Sequence, residues 1–143
     1  MSHNNYNTYN MPEEKYAHKI LIVEDEQAML DTLMDNLRAA GFTHIFQARN
    51  GQDALDIAMR EELDLILLDI IMPKMDGMTM LKKLRETPKG KELKVILLTN
   101  LTADDSTMQG IVNDEPSYYL IKTDHSIGDV VEKVKSTLGL GQI

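Results

Sequence analysis

The stretch 65-LILLDIIMPKMDG-77 decides how this chain is read. Its first four residues are all apolar, and a short unbroken apolar run reads as a strand covered on both faces, as in parallel sheets sandwiched between helices. Asp69 closes the run and so stands at the carboxyl end of a buried strand, where ligands and chemistry collect in open α/β sheets. Taken alone, an acid there is open to helix capping, metal binding or catalysis. Beyond it, Pro73 fixes its own backbone torsion and Gly77 admits conformations closed to other residues, marking a turn that leads into a helix.

Short apolar runs and segments of helical period alternate on both sides of this stretch. Residues 20–23, 43–48, 63–68, 95–98 and 118–121 are the strand candidates. Between and after them, Leu30, Leu33, Met34 and Leu37 form one helical face, with Gly41 placed to end that helix in a left-handed turn. Ala54, Leu55, Ala58 and Met59 repeat the spacing, as do Met80, Leu81 and Leu84, and then Ile127, Val130, Val131, Val134 and Leu138. The weakest helical pattern covers 102–113, and Pro116 ends it. Five β-then-α units predict a doubly wound α/β sandwich around a five-stranded parallel sheet, because right-handed crossovers put helices on both faces.

The length of 143 residues suits one domain. Residues 1–18 are rich in asparagine and poor in aliphatic side chains and read as a disordered tail, leaving 19–143 as the folded unit. A formal net charge of -8 argues against nucleic acid or an anionic membrane as partner and favours a protein or a cation. Without cysteine there is no disulfide, thiolate metal site or thiol nucleophile. No apolar run reaches the roughly 18 residues of a membrane span, and the polar start lacks a signal-peptide core, so a soluble cytoplasmic protein is expected. Of the ten methionines, Met29, Met34, Met59 and Met80 fall within or beside helical stripes, as core residues do, and the four histidines show no ligand spacing.

In a parallel sheet every strand ends on the same side. Glu24, Asp25 and Glu26 follow the first strand, Asp69 ends the third, Thr99 and Asn100 follow the fourth, and Lys122 follows the fifth. Carboxylates crowded there repel one another and call for a cation, and an all-oxygen donor set with few protein groups suggests Mg²⁺. A carboxylate can also attack phosphorus, with a cation and a lysine neutralising the equatorial oxygens and a threonine donating to one of them.

These motifs resemble those of the response-regulator receiver domain of two-component signalling, from about Lys19 to Leu138. The resemblance rests on the acid pair in ILIVEDE, on LILLDIIMPKMDG, on the threonine of VILLTN and on the lysine of YYLIK. Asp69 lies 44 positions after Asp25, and Thr99 lies 30 after Asp69, both typical of the family. The resemblance implies a flavodoxin-like (βα)5 fold with Asp69 as acceptor of a phosphoryl group from a sensor histidine kinase or a histidine phosphotransfer protein. It implies Mg²⁺ held by Glu24, Asp25, Asp69 and the backbone carbonyl of Ile71, with Lys122 pairing with the phosphoryl group. Thr99 and Tyr119 would be the switch residues that couple the site to a face read by a downstream protein target. Only 21 residues follow Lys122, so a stand-alone receiver is expected, a phosphoacceptor rather than an enzyme, with at most weak autophosphatase activity.

Some positions depart from the family's common form. Thr123 stands where a proline usually follows the lysine, and without proline a cis bond there would cost about 3 kcal/mol. Glu24 replaces the more usual aspartate, and Pro116-Ser117 replaces a small pair. Ile71 and Leu101, two positions after Asp69 and Thr99, are apolar at places that influence water attack in this family, so slow self-dephosphorylation is expected. The rival within the family is a pseudo-receiver that binds without phosphorylation. An aspartate-nucleophile phosphatase would resemble its own class by a second aspartate where Ile71 stands. A nucleotide- or flavin-binding module would want glycines, not Glu24-Asp25-Glu26, after the first strand.

Overall fold

The computed structural model describes residues 16–69, 72, 75–99, 118–121 and 126–140, of which 99 and 118–121 are described by their backbone. The helix expected over 102–113, together with Ile71, Pro116-Ser117, Lys122 and Thr123, lies outside the described residues, as does the tail through residue 15. Five parallel strands, β1 (Tyr16–Val23), β2 (Phe42–Ala48), β3 (Leu65–Asp69), β4 (Lys94–Thr99) and β5 (Tyr118–Ile121), form one sheet in the order β2-β1-β3-β4-β5. The described helices are α1 (Gln27–Ala39), α2 (Gly51–Arg60), α3 (Gly77–Arg85) and α4 (Ile127–Thr137). The chain steps outward from β1 to β2 and then returns to place β3 on the other side of β1. The order therefore reverses between β1 and β3, the switch point beyond whose carboxyl ends open α/β sheets bind their ligands.

Side chains alternate along a strand, and here the alternation divides the core in two. Ile20 and Ile22 of β1, Leu65 and Leu67 of β3, and Ile96 and Leu98 of β4 pack with Leu30, Leu33, Met34 and Leu37 of α1 and Val130, Val131 and Val134 of α4. The intervening Leu21, Val23, Ile66, Leu68, Val95 and Leu97 pack on the other face with α2 and α3, through Ala54, Ala58, Met80, Leu81 and Leu84. All five residues of β3 are buried, as its unbroken apolar run requires. Gly41 follows α1 with φ of 111° and donates its N–H to the Arg38 carbonyl, the left-handed exit that a side chain would resist.

Three local readings need correction. β1 begins at Tyr16, inside the stretch expected to be disordered, because the Tyr16 ring lies 4.8 Å from that of Phe42 and its N–H bonds the Gly41 carbonyl. Those contacts are remote in sequence, so local composition carries no trace of them. β3 starts at Leu65 rather than Leu63, since Asp64 turns its carboxylate to the Lys19 N–H at 2.7 Å and returns its own N–H to the Lys19 carbonyl. On α2 the buried stripe is Gly51, Ala54 and Ala58, leaving Leu55 half-buried and Met59 38% exposed. Small residues bring that helix close to its neighbours, and the expected methionine faces outward.

Candidate functional site

Glu24 continues from β1, its N–H still bonded to the Ala48 carbonyl at the end of β2. It is 2% exposed, Asp69 is 6% exposed, and Asp25 is half-buried. One carboxylate oxygen from each lies within 4.8 Å of the other two. The register explains the convergence: Val23 pairs with Leu68, so Glu24 and Asp69 leave adjacent strands at the same level. Glu24 also turns back, its Oε2 accepting from the Glu26 N–H at 3.2 Å.

Capping, the role left open for these acids, belongs to other residues. The N-caps of the described helices are Glu26, Asn50, Asp76 and Ser126, and neither Asp25 nor Asp69 is among them. Asn50 accepts from the Asp53 N–H and Asp76 from the Thr79 N–H, while Ser126 and Asp129 form a reciprocal capping box. Asp76, in the turn after Asp69, thus starts α3. Glu26 makes no side-chain cap to α1.

Three buried or half-buried carboxylates so close together carry crowded negative charge, and a hard divalent cation is the partner that suits an all-oxygen set. The cluster fits a magnesium-type ion on donor chemistry. Thr99 ends β4, whose Leu98 pairs with Asp69, and it pairs through the backbone with Ile121, the last residue of β5. Its position is therefore one residue past the level of Asp69, on the adjacent strand. Tyr119 lies within β5 opposite Leu97. Lys122 would follow the end of β5 and, like Ile71, lies outside the described residues.

A family model described as the response regulator receiver domain matches residues 20–135. This chain belongs to the response-regulator receiver family. The receiver domain of a signal transduction histidine kinase from Syntrophus aciditrophicus superimposes with a TM-score of 0.77 at 29% identity, covering 86% of this chain and 91% of that one. A CheY-like receiver domain protein from Methanospirillum hungatei JF-1 gives 0.77 at 26%, covering 87% and 95%. A receiver domain of a Pseudomonas aeruginosa sensor histidine kinase, described with magnesium coordinated in its active-site cleft, shares the fold with a TM-score of 0.73 at 23% identity, covering 87% and 99%. Receiver domains are signalling domains that take phosphoryl groups from histidine kinases, and this receiver has the doubly wound parallel sheet expected of it.

Two residues of this receiver's site went unread in the sequence. Arg49 donates from Nη2 to the Asp25 carbonyl at 2.8 Å, and Gly51 donates its N–H to the Met75 carbonyl at 2.7 Å. The only sequence signal was Asn50-Gly51 ahead of a helical stripe, which marks a cap and a close backbone approach. No described helix is long and apolar enough to cross a membrane.

Proposed function

We propose that this receiver accepts a phosphoryl group on Asp69 from a phosphohistidine of a kinase or phosphotransfer protein, and that the acceptor state is read by a downstream protein. The observation that carries the proposal is the meeting of the Glu24, Asp25 and Asp69 carboxylates within 4.8 Å at the reversal of strand order. An Asp69 oxygen forms the new O–P bond as the P–N bond to the donor imidazole breaks, and the nitrogen keeps the electron pair. Glu24, Asp25 and Asp69, with the Ile71 carbonyl, would hold Mg²⁺, which when bound neutralises phosphoryl oxygen charge and orients the group for in-line transfer. Lys122 pairs with the incoming group and Thr99 donates a hydrogen bond to it, while Tyr119 follows Thr99 as the second switch residue. Phosphorylation then shifts an existing two-state equilibrium of the partner-binding face. A kinase-fed acceptor of this kind works in the cytoplasm.

Incubation with acetyl phosphate and Mg²⁺, read by intact mass, tests this. One phosphoryl addition is expected for the native chain and none for Asp69→Asn. A gain that survives Asp69→Asn would overturn the acceptor assignment. No gain in the native chain, with no beryllofluoride-dependent change, would favour a phosphorylation-independent binding module.

A further inference from the structure

The turn from β2 into α2 touches both sides of the acid cluster. Three of its four residues do this by different means, and the fourth caps the helix. Ala48 ends β2, and its carbonyl takes the Glu24 N–H at 3.0 Å. Arg49 reaches across the surface and bonds the Asp25 carbonyl at 2.8 Å, while Asn50, 7% exposed, caps α2 through the Asp53 N–H. Gly51, the first residue of α2, donates to the Met75 carbonyl at 2.7 Å, six residues after Asp69 and just before the Asp76 cap of α3.

The last contact has no slack. A Cβ on Gly51 would collide with the Met75 carbonyl oxygen, and it would meet the Met75 carbonyl carbon at 2.8 Å and Cγ at 2.9 Å. The N–H that Gly51 donates is one of those a helix start leaves without an intrahelical partner. Donation to Met75 satisfies it and ties the chain beyond β3 to the start of α2. β2 is one of the sheet's two edge strands and contributes none of the three clustered carboxylates, yet its exit turn bonds the Asp25 carbonyl on one side of them and the Met75 carbonyl on the other.

We infer that the turn 48–51 is a positioning element for the acid cluster, with Arg49 setting the Asp25 segment and Gly51 setting the segment that follows Asp69. This deepens the proposed function, because its effect on a bound cation rests on that reading. The sign of the Arg49 effect separates positioning from simple charge. As a nearby positive charge, Arg49 would oppose a cation, and its removal would tighten binding. As a brace, its removal loosens a ligand-bearing loop and weakens binding.

The test titrates the full chain with Mn²⁺, counting free ion by electron paramagnetic resonance, and in parallel follows amide hydrogen exchange of the metal-free protein. Arg49→Ala is expected to weaken Mn²⁺ binding about three- to fivefold, the loss of one modest hydrogen bond, with partial recovery in Arg49→Lys. Gly51→Ala is expected to weaken it about tenfold, the lower end of what outer-shell changes cost a metal site. Exchange should quicken around residues 24–27 in Arg49→Ala and around 75–79 in Gly51→Ala. Unchanged or tighter Mn²⁺ binding by Arg49→Ala in a protein that binds the ion would overturn the inference, as would unaltered exchange in both segments. If Gly51→Ala does not fold, Arg49→Ala decides alone. If the native chain binds no Mn²⁺, the cation reading of the site fails, and exchange still decides whether the turn holds the two segments.

Discussion

Asp69 and Asp25 share one cluster but are held by different parts of the molecule. Asp69 is the last residue of a wholly buried strand, paired with Leu98 of β4 and preceded by Leu68, which pairs with both Val23 and Leu97. Asp25 lies past the end of β1, half-buried, its carbonyl held by the exposed Arg49. The core places the proposed acceptor, whereas the exposed Arg49 braces the backbone of Asp25, one of the proposed cation ligands. Damage to packing should therefore move Asp69 only by unfolding the domain, while changes at the surface should retune Asp25 with the fold intact.

The largest expected effect separates chemistry from fold: Asp69→Asn abolishes phosphoryl gain by intact mass, while circular dichroism keeps its native form. Next, Leu67→Ala behind Asp69 should cost about 2–5 kcal/mol of unfolding free energy in urea, the usual loss for a fully buried leucine. A smaller loss would show that the end of β3 does not depend on the core beneath it. On the Asp25 side, Asp25→Asn should remove the rise in thermal midpoint that excess Mg²⁺ gives the native chain by mass action. The metal-free variant should be no less stable, since one of three crowded charges has gone. Asp76→Ala, which removes the α3 cap near Met75, should cost about 1 kcal/mol. Met59→Ser on the exposed face of α2 should stay within about 0.5 kcal/mol of the native chain, as surface changes away from special contacts do.

Legibility followed the range of the interactions. The strand at 118–121 appears in the structure with the bounds its apolar and aromatic run suggested, and β3 and β4 lie within two residues of theirs. The buried faces of α1, α3 and α4 were visible as periodic stripes because a stripe is a local pattern. Tyr16 was not, because what fixes it is Phe42 and the Gly41 carbonyl across the sheet. Met59 misled because alanine and glycine, not larger side chains, form the inner face of α2. At the site, the meeting of Glu24, Asp25 and Asp69 could be read from strand ends alone, since parallel strands deliver their ends to one side. Arg49 could not, because a guanidinium reaching a carbonyl 24 positions away leaves no pattern in sequence, and for Gly51 the Asn50-Gly51 pair marks a close backbone approach without naming Met75 as its partner.

The sheet between two separate apolar clusters also sets how this domain can change over time. A residue lost from one face, such as Leu68 against α2 and α3, leaves a gap that no enlargement of Leu37 or Val134 on the other face can fill. Each face must mend itself, so substitutions on opposite faces should combine additively. The acid ends of the strands are the ground both faces share, and only a change there makes the two histories depend on each other.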